Sequence, residues 1–215
     1  PPVASRIYVY SSIAAYEAIR HAKKEAPSIS EKLNGFGKMP LPDKDKKYDF
    51  TLAATKAFFK VARNVKVFSV DSLDNYEKLV HDNFKANTDE ATYAASIAFG
   101  DTVAAVILAR AKTDGYAISR GKQKYIGSNE PGKWRPTPPD YLDGVEWCWN
   151  TMKPMVLDSA AQFKPVRPPV YSADSTSEFY KYAKEVYTVN KTLTDSLKMI
   201  AKISIYYIKK VMNSI

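Results

Sequence analysis

Between Asp114 and Thr176 the sequence loses all regular apolar spacing, and this gap constrains the fold more than any other feature. Eight of the thirteen prolines fall inside it. Each proline ring removes an amide donor and fixes φ, so neither a helix nor a central strand runs through such a stretch. The densest part, PGKWRPTPPDYLDG at 131–144, holds four prolines, two glycines and a Trp-Arg pair in fourteen positions. Loops longer than about fifteen residues are uncommon in compact domains unless they are functional or disordered. Disordered segments are poor in aromatic residues, whereas this one carries Trp134, Trp147, Trp149, Tyr125, Tyr141 and Phe163. The expectation is an ordered structural strap lying across helices, with Trp134 as its anchor and Tyr141 among its residues. Pro136, Pro138 and Pro139 lower the entropy lost in holding it. One short helical piece near 146–153 is the most that the pattern allows.

Both flanks of the strap read as helix. Residues 2–25 place Val3, Ile7, Tyr10, Ala14 and Ala18 at helical spacing, with proline in the first turn and Pro27-Ser28 as the stop. A loop through Asn34-Gly35, Gly37, Pro40 and Pro42 leads to a second helix at 49–66. Asp71-Ser72 is expected to cap a third, with Leu73, Tyr76, Leu79, Val80 and Phe84 as its apolar face. Thr88-Asp89-Glu90 opens a fourth, which reaches about Thr113 with a small-residue stripe of Ala94, Ile97, Ala98, Ala105, Leu108 and Ala109. Beyond the strap, Ser175-Thr176-Ser177-Glu178 has the form of a capping box for a fifth helix to about Val189. A sixth opens at Thr192-Leu193-Thr194-Asp195 and runs almost to the end. The sum is an all-α helical bundle of about six helices, read as a single domain over 1–215, with no internal repeat.

The chain has 215 residues, enough to bury a real core. No apolar run reads as long enough to span a bilayer, and no signal peptide opens the sequence. A net charge of +9 favours anionic partners as a weak field effect. The 32 Lys and Arg are nevertheless dispersed, and no nucleic-acid-binding signature is present.

Catalytic signatures are sparse. His21 and His81 are the only histidines, and neither lies in a metal-binding pair. His21 reads as a helix C-terminal cation favoured by the dipole. Cys148, flanked by Trp147 and Trp149, reads as a small buried apolar residue. Asp89-Glu90 fits a helix start better than an acid-base pair. No Gly-x-Ser-x-Gly elbow or phosphate-cradling glycine loop occurs. The fifteen tyrosines, among them Tyr8, Tyr10 and Tyr16 on one helix, read as core-edge residues with wet hydroxyls, the alternative being an aromatic ligand groove. Arg120, Lys122, Lys124, Lys133 and Arg135 fall within sixteen residues and form the candidate anion-binding set. Solvation of an exposed loop is the alternative.

The strap also carries a resemblance. Pro131 to Tyr141 resembles a segment of bacterial vanadium-dependent haloperoxidase-like proteins of the type 2 phosphatidic acid phosphatase (PAP2) superfamily. So do Leu157 to Phe163 with Pro165 to Pro169, and Pro2 to Tyr8 with Ala14 to Ala18. The resemblance implies an all-α bundle of which this chain is the N-terminal half. It also implies an extracytoplasmic or periplasmic setting. In complete members vanadate or phosphate is held by Lys-x6-Arg-Pro, Ser-Gly-His and Ser-Arg-x5-His-x3-Asp in the other half. None of these is present here: the residue seven before Arg135 is Ser128, and seven before Arg167 is Ala160. No catalytic residue carries over.

The expectation is a non-catalytic, truncated helical domain, inactive alone and without its own cofactor. An apolar face on it would meet the missing half or a second copy. Two alternatives stay open: an acid phosphatase or haloperoxidase site completed by another chain, and an anion-binding module using the 120–135 cluster. The C-terminal stretch, with Ala201, Ile205, Ile208, Met212 and Ile215 on one face, also fits a basic amphipathic tail.

Overall fold

The computed structural model describes residues 2–23, 25–65, 70–138 and 140–213, with backbone only for residues 70 and 205–213. Described residues form seven α-helices and no strand. They are α1 (Pro2–Ile19), α2 (Phe50–Asn64), α3 (Val70–Asn87), α4 (Glu90–Lys112), α5 (Tyr116–Arg120), α6 (Glu178–Thr192) and α7 (Asp195–Asn213). Short 3₁₀ turns occupy Arg20–Ala22, Ser30–Lys32 and Trp149–Thr151. The all-α expectation is met. The difference in number is α5, a five-residue helix in a stretch whose pattern reads as turns.

The chain divides into two compact units. The first comprises Pro1–Lys122 and Cys148–Gln162, the second Gln123–Trp147 and Phe163–Ser214. In the first, α1, α2 and α4 pack on one another around Ile7, Tyr10, Ile13, Val61, Val103 and Ile107. Four of the five α1 positions set by periodicity (Ile7, Tyr10, Ala14 and Ala18) are buried, and Val3 packs at their edge. The α-helix stops at Ile19, short of the expected 25. The cause is Glu17, fully buried beneath the following loop. Its carboxylate accepts from Arg20 Nε at 2.9 Å, Ser28 Oγ at 2.8 Å, and the Ile29 and Ser30 amides at 2.8 and 3.0 Å. These bonds turn the chain away from the helix axis.

Helices α2 and α4 approach closely at Gly100. A Cβ there would lie 2.5 Å from the Ala53 carbonyl oxygen and 2.9 Å from Lys56 Cβ, so only glycine fits. This contact sets the rotation of α4 and corrects its expected face. Thr92, Ser96, Phe99, Gly100, Val103, Ala104, Ile107, Arg110 and Ala111 point inward. Of the expected stripe, Ala94, Ala98, Ala105 and Ala109 are exposed, and Ile97 and Leu108 are half-buried. By length and hydropathy alone α4 is also apolar enough to cross a membrane. Its inward face belongs to the bundle core.

In α3 the expected face is met in part: Leu73, Val80 and Phe84 are half-buried, whereas Tyr76 and Leu79 are exposed and Glu77 is buried. Glu77 pairs with Arg63 and with Lys56 Nζ at 3.3 Å, so α3 is tied to α2 by charge. The helix begins before Asp71, which therefore lies in the first turn and is not its cap. Asp89 caps α4 through its side chain, as the Asp89-Glu90 reading requires. At α6 the cap is Ser177, bonded to the Tyr180 amide, and not Ser175.

The strap is shared between the units. Residues 148–162 return to the first: Asn34 N donates to the Met155 carbonyl at 2.8 Å, and Lys153 N to that of Asp114 at 2.8 Å. The opening motif belongs to the second unit. There the Tyr125 ring packs on Trp134 at 5.5 Å and Trp147 at 6.0 Å, and Gly127, at φ +80°, leaves room for the Trp134 carbonyl. Trp134 therefore anchors its own loop and stays half exposed. Pro139 and the side chains of Ile205, Ile208, Met212 and Ile215 lie outside the described residues.

Candidate functional site

Within the first unit, charged and aromatic side chains converge beneath a cavity of about 380 Å³. Residues Arg6 and Tyr10 come from α1, one helical turn apart on the inward face. Arg110 comes from the last turn of α4, and Asp114 from the turn that follows.

Arg6 Nε donates to Asp114 Oδ2 at 2.7 Å, and Tyr10 donates its hydroxyl hydrogen to the same oxygen at 3.0 Å. The other carboxylate oxygen takes the Tyr116 amide at 2.9 Å. Arg110 donates to the Tyr10 hydroxyl at 3.3 Å, to the Asn34 carbonyl at 2.7 Å and to the Lys153 carbonyl at 3.1 Å. The Arg6 guanidinium also lies 4.3 Å from the centroid of the Tyr116 ring. All four residues of this network are buried. Burial and the Asp114 charge push the Tyr10 phenol well above its ordinary pKa, against the opposing pull of Arg110. Tyr10 therefore stays a donor.

Over this floor stand Val9, Trp149, Met152, Met155 and Leu157, with Lys153 also lining the cavity. The walls are predominantly apolar, and the strap residues 149–157 form one side. Periodicity identified Tyr10 as core but gave no sign of Arg6, Arg110 or Asp114. A charge at a buried helical position looks the same in sequence as one at a solvated position.

The five residues of the expected anion-binding set are placed differently. Arg120 and Lys122 belong to the first unit, and Lys124, Lys133 and Arg135 to the second. Arg120 stacks over Tyr116 at 4.8 Å. Lys124 pairs with Asp143 at 2.8 Å, and Lys122 and Lys133 are exposed. Arg135 lines a surface cleft with Pro136, Pro138 and Tyr141. Tyr141 itself holds a left-handed φ of 44°, unusual for a bulky residue.

Neither histidine faces the cavity lining. His21 sits against the rings of Phe50 at 5.9 Å and Phe99 at 5.4 Å, with Nε2 buried and unbonded. Burial, then the Arg20 charge, lower its pKa against the attraction of Glu17. The dipole reading of His21 as a cation is thus replaced by a neutral, ring-packed imidazole. His81 meets Tyr93, and burial lowers its pKa too. Cys148 is buried, as expected.

This all-helical fold, matched across most of the chain with substantial sequence identity, places the chain among the bacterial vanadium-dependent haloperoxidase-like proteins. One matching structure is the crystal structure of the first bacterial vanadium-dependent iodoperoxidase, at TM-score 0.83 and 40% identity. The alignment covers 89% of this chain and 46% of that one, so the chain spans about half of that protein's length. No family model matches the chain. No curated protein matches it either.

A vanadate site needs cationic donors converging with a histidine. Both histidines here are packed against aromatic rings, and among the described residues no three His, Cys, Asp or Glu side chains gather as a metal-ligand set.

Proposed function

We propose that this chain is a non-catalytic helical part of a vanadium-haloperoxidase-like protein, supplying scaffold and no oxyanion site of its own. The supporting observation is the state of the two histidines. His21 is half-buried against Phe50 and Phe99 and His81 against Tyr93; neither Nε2 makes a hydrogen bond, that of His81 lying 4.0 Å from Glu77 Oε1, and each has a lowered pKa. The missing Lys-x6-Arg-Pro, Ser-Gly-His and Ser-Arg-x5-His-x3-Asp patterns point the same way. Its partner, on this reading, is a further helical segment of the kind a longer relative has room for. Support comes from α6, which buries none of its residues and leaves Val186 and Tyr187 more than half exposed.

Vanadate titration followed by ⁵¹V NMR, with peroxide-dependent iodide oxidation as a second readout, tests the proposal. The free-vanadate resonance should persist at equimolar protein, and oxidation should match buffer. Oxidation that scales with the concentration of this chain would overturn it.

A further inference from the structure

The buried network beneath the first-unit cavity is not electrically balanced. Arg6 and Arg110 are 8% and 3% exposed; Arg6 bonds the Asp114 carboxylate directly, whereas Arg110 reaches it only through the Tyr10 hydroxyl, so two buried guanidinium groups face one carboxylate in this network. Backbone carbonyls of Ala111, Asn34, Lys153 and Pro154 supply the rest of the compensation. Uncompensated charge away from water is costly, and its field is weakly screened there.

Donor capacity is unbalanced as well. A guanidinium has five N–H groups. In Arg6, Nε donates to Asp114, one NH2 hydrogen to the Ala111 carbonyl at 3.0 Å, and one NH1 hydrogen to that of Val65 at 3.5 Å. Two N–H groups remain in a side chain that lines the cavity. Arg6 keeps 7% side-chain exposure where Asp114 keeps 1%, and both line the cavity.

A cavity of about 380 Å³ lies in the range of small-molecule sites, which pair apolar walls with a few fixed polar groups. We infer that it binds a small organic anion with an apolar body. The anionic head sits on Arg6, with Lys153 adding charge, and the body lies among Val9, Trp149, Met152, Met155 and Leu157. A neutral molecule of the same shape would gain the walls but not the charge-assisted bonds.

The test titrates the 215-residue chain with sodium hexanoate and, separately, with 1-hexanol. The readouts are thermal shift and the ¹⁵N-¹H resonance of the Trp149 indole, assigned with Trp149→Phe. Hexanoate should raise Tm and move the Trp149 resonance, with hexanol binding at least tenfold more weakly. Arg6→Gln should erase the difference between the two. If that variant does not fold, Val9→Trp decides, because it fills the cavity without touching the network. It should abolish the Trp149 response to hexanoate. Equal affinity for hexanol, no hexanoate response at millimolar concentration, or undiminished binding by Val9→Trp would each overturn the inference.

Discussion

Two residues show how burial decides the state of an ionisable group. Asp114 holds Arg6 and Tyr10 together, so Asp114→Asn leaves a buried guanidinium without its counter-charge. Removing one member of such a pair costs about 3–5 kcal/mol, and urea denaturation should show a loss of that size. His21 works the other way. Its folded pKa lies below the 6.5 of a free imidazole, so the unfolded chain binds a proton first as pH falls. The stability it contributes is complete above about pH 6.5 and declines as the pH drops from there towards the folded pKa, below which this residue adds no further loss. His81 acts in the same direction. Melting temperatures between pH 8 and 5 should therefore fall, and His21→Phe, which keeps a ring against Phe50 and Phe99, should flatten the decline.

At the level of helices, positions set by a single strong contact outweigh pattern. Gly100→Ala inserts a methyl against the Ala53 carbonyl and forces α2 and α4 apart. Overpacking costs typically about 1–3 kcal/mol, enough to exceed the gain of about 1 kcal/mol in helix propensity. Differential scanning calorimetry should show a lower Tm. Asp89→Ala removes the cap of α4 and should also lower Tm in the same measurement. Helix boundaries were largely readable because caps and prolines act locally, as Asp89 and Thr194 show. The inward face of α4 was not, and that of α3 only in part. Helix α4 is rich in apolar residues on every side, so no stripe stands out in its sequence, and its buried residues include Ser96 and Arg110.

Across the whole molecule, stability is unevenly distributed. The α1, α2 and α4 bundle contains the large buried side chains, whereas α6 contains none. A lone helix of α6's length is marginal in water, and elements with few buried contacts open at low free energy. Hydrogen exchange should find slow amides in α1, α2 and α4 and fast ones throughout α6. Protection of α6 equal to that of α2 would show that something covers it in solution.

The sequence by itself determined the helical class, most helix starts and stops, the core face of α1 and the haloperoxidase-like kinship. These depend on local signals: spacing along one helix, a cap within three residues, a run of prolines. Tertiary structure alone decided that Glu17, Arg110 and Asp114 are buried and that the strap is shared between two units. It also placed a guanidinium with spare donors beneath an apolar cavity. These outcomes depend on residues far apart in sequence; Arg6 and Asp114 are 108 positions apart. No local pattern encodes which distant carboxylate will be there to meet a buried arginine.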